Sequence, residues 1–554
     1  MVISLINRKL VRKPKIASAF LILLLPFALA SQENTFDYFY RVYFTDKGEN
    51  EYNLYSPEDL LSERAVIRRQ KSGIITPDFR DIPVYQGYID QITVLGYSLH
   101  GRSRWMNTAL FKTIGPGDTE RLLEMPFVLD VRMVRRASAK SEFSDKLANF
   151  VLQEDPSAFD RPLSMINGVQ LHNSGFTGKG RLIAVLDGGF LNADQIPALN
   201  DLRKRGGIKG TYDFVLNNRF VYGYHTHGTQ VLSVLSGKIV NLLAGTAPGA
   251  DYLLIRTEDT GSEFPVEEDY WVAGAEFADS LGADIISSSL GYFMFDDPEM
   301  DYKYSSMDGR TAFITRAAGV AVSKGILVVS SAGNERNKEW LHIIAPSDGD
   351  SVLSAGAVDA GRTISAFSSA GPSADGRVKP DVATQGVGVP VQRSPEAVVR
   401  ANGTSFSCPV LSGMCACLMQ AVPAASVTDI ISAIRSTADR SSSPDSLYGY
   451  GIPDMMAAIR VLQDILVAKP ENESVIGPNP FTYNIEVTFK NPPGSLTVEI
   501  VSASGRIIAR HIFKDYVSRK LTITDLQNAD QGIYFIRLST RNGTFTHKAI
   551  KMKR

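Results

Sequence analysis

The sequence predicts an α/β protein. Its centre is a doubly wound, mostly parallel sheet, with a small α+β unit before it and a small all-β sandwich after it. Three observations predict this. From Gly178 onward, short apolar runs alternate with segments of helical spacing, the signature of successive βα units. After residue 468 the spacing changes to period-two runs separated by turn residues. Before residue 140 a shorter mixture of strands and helices is set off by a basic, polar stretch. With 554 residues, 44% hydrophobic and 21% charged, the chain is globular and long enough for several domains. A net charge of -1 gives no argument for a nucleic-acid partner or an anionic membrane surface.

Residues 1–30 read as a signal peptide. Arg8, Lys9, Arg12, Lys13 and Lys15 form a basic start, an apolar run covers 16–29, and Ala28-Leu29-Ala30 precedes Ser31 as a small-x-small cleavage site. The run is too short for a comfortable membrane span, and no later stretch reaches the roughly 18 apolar residues one needs. No permanent span is expected. Residues 31–145 form the α+β unit, with strands at 38–44, 105–113 and 127–134 and helices at 60–69, 88–95 and 118–125. Arg135-Arg136-Ala137-Ser138-Ala139-Lys140-Ser141 has the composition of an exposed, cleavable linker.

The central unit covers 146–468. Strands are expected at 182–186, 252–256, 284–289 and 325–331, with helices at 267–281 and 311–323. In such sheets the site lies beyond the carboxyl ends of the strands. Three stretches stand there. Asp187 follows Ile183-Ala184-Val185-Leu186 and precedes Gly188-Gly189, which let another side chain approach. His227 opens a helix-like run, and Asn334 follows Ala332-Gly333 after a strand. A fourth stretch, Asn402-Gly403-Thr404-Ser405-Phe406-Ser407-Cys408-Pro409, reads as a turn opening a helix. Gly403 gives backbone freedom, Thr404 is the expected N-cap, and Pro409 falls in the first turn. A serine there presents a hydroxyl at a cleft mouth, with its own unpaired N–H at the positive end of the helix. Ser405 as nucleophile, His227 as base, Asp187 as its orienting acid and Asn334 as amide donor complete the parts list of acyl transfer.

These blocks resemble the subtilisin-like serine proteases, the subtilases. The order Asp187, His227, Ser405 is that family's order. The likeness spans roughly 150–465. It includes His227-Gly228-Thr229, Ala247-Pro248-Gly249-Ala250, Ala332-Gly333-Asn334, Lys379-Pro380-Asp381-Val382 and Gly403-Thr404-Ser405. Two departures stand out: Gly188 where the family has Thr or Ser, and Phe-Ser-Cys-Pro-Val after Ser405. The resemblance implies a subtilisin-like fold and a catalytic triad of Asp187, His227 and Ser405. It also implies oxyanion donation by Asn334, and a strand edge at Ser289, Leu290 and Gly291 that pairs with peptide substrates. His225 receives no catalytic role. The unit before residue 140 is similar to a subtilase propeptide, so the chain is expected to be a zymogen that cuts itself within 130–150.

The three cysteines, Cys408, Cys415 and Cys417, fall in one helix with no disulfide geometry between them and are expected as buried apolar residues. No cofactor is expected. No calcium site can be read, and Asp296-Asp297 and Glu267-Glu268-Asp269 are expected in solvent. Residues 469–554 begin with the polar linker Lys469-Pro470-Glu471-Asn472-Glu473. They continue through the alternating runs Ile485/Val487/Phe489, Leu496/Val498/Ile500 and Tyr534/Ile536/Leu538. This block is similar to the sorting domain of type IX secretion cargo. That implies a secretion-machinery partner and a secreted or cell-surface location. The expected activity is a secreted serine endopeptidase acting on proteins or peptides. A catalytically silent binding protein on the same fold, and an esterase using the same triad, are the competing readings.

Overall fold

The computed structural model describes residues 37–50, 56–74, 76–136, 151–152, 160–468 and 473–552. The signal-peptide segment, most of the 135–141 linker and residues 469–472 of the second linker lie outside the described residues.

Seven strands form one parallel sheet. Their order is Val382–Gln385, Leu353–Val358, Leu327–Ser331, Ile285–Ser288, Leu182–Asp187, Asp251–Arg256 and Ile208–Asp213. Alternation along the central strand assigns its two faces. Ile183 and Val185 pack with the Thr404–Ala421 and His227–Ser236 helices. Leu182, Ala184 and Leu186 pack with the Val266–Ser280 and Phe313–Ser323 helices. Both faces are covered, as a parallel sheet requires, and the doubly wound expectation holds. Three of the seven strands left no clear signal in the sequence. Ile208–Asp213 is an edge strand of mixed polarity, and Leu353–Val358 and Val382–Gln385 are rich in Ser, Ala and Gly or very short.

The N-terminal unit is a four-stranded antiparallel sheet in the order Ser98–Ser103, Thr108–Ile114, Asp37–Phe44 and Val128–Arg135. The strand expected from residue 105 begins at Thr108. Trp105 turns away to bury itself among the aromatic and aliphatic residues around Trp271. The unit is fastened to one helix by charge. On Val266–Ser280, Asp269 takes both Arg41 Nε and Nη2 at 2.8 and 2.6 Å. Glu276 accepts from Ser103 Oγ at 2.5 Å and from the Trp105 N–H at 3.1 Å. Asp279 pairs with Arg68 and, at 2.5 Å, with Arg69. These carboxylates are spaced along one helix face; Glu276 and Asp279 are buried, as are Glu267, Glu268 and Asp297, and Asp269 is half-buried. The expectation that these acidic runs sit in solvent is therefore overturned for most of their members, because guanidinium and hydroxyl partners arrive from elsewhere in the chain.

The C-terminal strands form two antiparallel sheets. One is Ser474–Gly477, Ile485–Phe489 and Lys520–Ile523. The other is Ile507–Tyr516, Gly494–Ser502, Gly532–Thr540 and Gly543–Lys551. The three alternating runs read from the sequence face inward and share one core, which makes the unit a sandwich.

Candidate active site

Neighbouring strands of the parallel sheet deliver the residues of interest to one edge. Asp187 is the last residue of its strand, Ser289 follows the adjacent strand, and Asn334 lies three residues past the next one. His227 is the first residue of the helix His227–Ser236. Its approach to Asp187 depends on small residues: a Cβ on Gly228 would stand 2.5 Å from the Gly189 carbonyl oxygen and 3.0 Å from Asp187 Cβ.

Asp187 and His227 are buried, at 0% and 1% exposure. His227 Nδ1 lies 2.9 Å from each Asp187 oxygen, and Asp187 Oδ1 also accepts the Gly188 N–H at 2.8 Å. An acceptor on that side puts the proton on Nδ1 and leaves Nε2 as a base. Nε2 is buried and makes no hydrogen bond. His225 accepts the His227 N–H at 3.1 Å through Nδ1, so it caps the first turn of the helix. The Phe406 ring packs 5.9 Å from that of His227.

Ser405 is the second residue of the buried helix Thr404–Ala421 and is 7% exposed. The N-cap is Gly403, at φ +150°, and not Thr404 as the sequence suggested. Thr404 has a different task. Its N–H and hydroxyl both reach Asn334 Oδ1, at 2.9 and 3.0 Å, and its Oγ1 accepts the Gly333 N–H at 3.2 Å. With the Asn334 carbonyl oxygen held there, its NH2 group faces the other way. Pro409 lies within the second turn. It has no N–H for the Ser405 carbonyl, which takes the Ser289 hydroxyl at 2.8 Å instead. Ser289 therefore fixes the backbone under Ser405 in addition to lining the groove.

Ser405, Thr404, Asn334, Ser289, Leu290 and Gly291 border one cleft of about 500 Å³. The main chain of 289–291 lies between the last ladder residue, Ser288, and the bridge Tyr292–Ala345, outside the sheet pairing. The three cysteines are buried and unbridged, and burial pushes the Cys408 thiol up to about 12, so it is no rival nucleophile. For a cation, Glu258, Glu263 and Glu267 bring oxygens within 4.8 Å of one another. Hydrogen bonds already hold two of them: Glu258 accepts from Tyr292 OH at 2.9 Å, and Glu267 accepts the Asp259 and Phe264 N–H groups at 2.8 and 3.2 Å. The contact of Thr404 with Asn334 and the grouping of Glu258, Glu263 and Glu267 escaped the sequence reading. Thr404 meets Asn334 across 70 positions, and no local spacing signals such a contact.

Residues 178–451 match the subtilase family, residues 39–148 the peptidase S8 propeptide domain of Bacteroidota, and residues 475–552 the secretion system C-terminal sorting domain. The chain is 29% identical to the thermostable alkaline protease of Halalkalibacterium halodurans, over 52% of this chain and 70% of that protein. It is 28% identical to subtilisin E of Bacillus subtilis, over 53% and 70%. It is 26% identical to subtilisin Savinase of Lederbergia lenta, over 54% and 97%. Residues 178–451 are a domain of the subtilase family, and the chain is a subtilisin-like serine endopeptidase with a propeptide domain in front and a sorting domain behind.

Proposed function

We propose that the enzyme cleaves peptide bonds with Asp187, His227 and Ser405 as its triad and an acyl-enzyme on Ser405 as intermediate. Ser405 Oγ attacks the carbonyl carbon while His227 Nε2 takes its proton. Asp187 keeps the ring oriented and stabilises the imidazolium. The Asn334 amide and the Ser405 N–H donate to the oxyanion. His227 returns the proton to the leaving amine, and water repeats the cycle to release the acid. The reaction runs on these side chains and water, without a cofactor. The observation that carries the reading is the buried Asp187–His227 contact, which leaves Nε2 as an acceptor without a partner. The edge at Ser289, Leu290 and Gly291 suits an extended peptide, whose main chain can pair there whatever its sequence. A fluorophosphonate probe should label Ser405 in the processed protein, and Ser405→Ala and His227→Ala should each remove nearly all turnover, with far from additive losses. Unlabelled Ser405 would favour a silent binding protein. Turnover of esters without peptides would favour an esterase.

The places where the chain is held support self-cleavage. Arg136 pairs with Asp297 at 2.7 Å, beside the cleft residue Asp296. On the other side, Val151 and Leu152 pair antiparallel with Ala401 and Arg400, on the strand that leads into Ser405. We infer that the scissile bond falls between 136 and 151, since the chain is held on the peptidase part at both flanks. The sorting domain indicates secretion or cell-surface export, and no described helix is long and apolar enough to cross a membrane. In our reading the signal peptide at 1–30 and the type IX machinery act in turn to carry the enzyme across two membranes to its protein substrates.

A further inference from the structure

We propose that the cleft selects peptides with lysine or arginine on the acyl side of the scissile bond. This deepens the peptidase reading and rests on it. Two observations carry it. The first is the charge of the cleft wall. Glu258, Glu263, Asp296 and Glu335 line it together with one cation, Lys338, which stands 3.1 Å from Glu335. Glu258 and Glu335 are buried, at 2% and 9% exposure, so their field acts in a medium less polar than water.

The second observation is the segment already held there. The strand Val128–Arg135 brings two consecutive arginines to the rim of this wall. Arg135 pairs with Asp259, between the lining residues Glu258 and Thr260, at 3.0 Å. Arg136 pairs with Asp297, next to Asp296, at 2.7 Å. Residues 151 and 152 lie beside the strand that enters Ser405. In the proposed self-cleavage Arg135 and Arg136 lie on the acyl side of the scissile bond, and their ion pairs show that the carboxylates flanking this wall, Asp259 and Asp297, take basic side chains. A substrate running in the same direction would carry its basic residues along the neighbouring wall, against Glu258, Glu263, Asp296 and Glu335. Charge pairs of this kind select a partner and speed its capture, and salt weakens those near solvent.

The test uses the full chain after self-processing. Matched fluorogenic peptides would carry Arg, Ala or Glu at each of the positions before one fixed scissile bond. We expect kcat/KM for at least one Arg series to exceed the Ala series by about tenfold and the Glu series by more, with the gap shrinking as salt rises from low to molar. Glu263→Gln and Asp296→Asn should each narrow the Arg-to-Glu ratio. The wild-type salt dependence tests the inference even where a variant folds poorly. Cleavage with no preference, or a preference for apolar or acidic residues that ignores salt, would overturn the inference and leave the peptidase reading intact. Absence of turnover on every peptide would overturn the peptidase reading and the inference with it.

Discussion

The Asn334 side chain shows how much of this site depends on where a single polar atom is held. Both bonds from Thr404 end on Asn334 Oδ1, so the amide NH2 is aimed before substrate arrives. Pre-aimed donors act on charge that develops in the transition state, and removing such a donor in a subtilisin lowers kcat by about two to three decades. Asn334→Ala should do the same here with little change in KM. Thr404→Ala keeps the donor and the N–H bond to Asn334 Oδ1 but removes the hydroxyl bond, which loosens the amide's orientation. We expect a smaller fall in kcat, about tenfold, again with KM nearly unchanged, and partial recovery in Thr404→Ser, which restores the hydroxyl. Steady-state kinetics on one peptide series checks both. An equal loss in Thr404→Ala and Thr404→Ser would mean that the hydroxyl does not orient the amide.

Elements, in turn, have to meet closely for those atoms to meet at all. The helix carrying His227 reaches the Asp187 strand end only because Gly228 has no side chain, and the nearest atom to an added Cβ is a backbone oxygen that cannot swing aside. Gly228→Ala should therefore push Nδ1 away from Asp187 and cost activity well beyond its effect on stability, which for overpacking is about 1–3 kcal/mol. A fall in melting temperature with kcat preserved would show that the helix re-seats without loss. The sequence already announced much at this scale. Strong apolar runs marked four of the seven core strands, the chain order of Asp187, His227 and Ser405 marked the candidate site, and period-two runs marked the sandwich. It did not announce strands built of small or mixed residues, such as Leu353–Val358. Nor did it announce that acidic runs would be buried, since Asp269 and Asp279 are neutralised by arginines more than 200 positions away.

Across the whole molecule, the N-terminal unit and the peptidase part are joined by buried charge. Asp81 lies at this junction, bonded to Arg69 at 2.7 and 2.9 Å and to Lys324 of the peptidase part at 3.2 Å. Burial alone would raise its pKa, but the Arg69 hydrogen bonds and charge, the Asp78 N–H and Lys324 together bring it down from 3.8 to about 2. A folded-state value below the unfolded one stabilises the fold above pH 4, and that stability is lost as pH falls through about 2. The contribution is about 2 kcal/mol. In the unprocessed Ser405→Ala chain, thermal scans from pH 5 to pH 2 should show the N-terminal transition falling more steeply than in its Asp81→Asn derivative; parallel curves would assign the acid sensitivity to other groups. The sandwich at the other end is a different case. It touches the peptidase part where its first strands lie against the Met455–Ala468 helix and Val475 packs on the peptidase core, and through Asn479 N–H on the Ala421 carbonyl at 3.0 Å and Thr482 Oγ1 on the Ser174 carbonyl at 3.1 Å. Ala421 is the last residue of the helix whose second residue is Ser405, so the contact lies about 24 Å along the axis from the nucleophile. The sandwich has its own closed core, and its removal uncovers the far end of that helix and leaves the cleft wall in place. Deleting residues 473–554 should leave kcat/KM within about twofold, lower the melting temperature slightly, and stop export. Assays on cell fractions would find the shortened enzyme active but retained inside the outer membrane. Loss of activity in the purified shortened chain would show that the sandwich supports the helix beneath Ser405 and does not act for export alone.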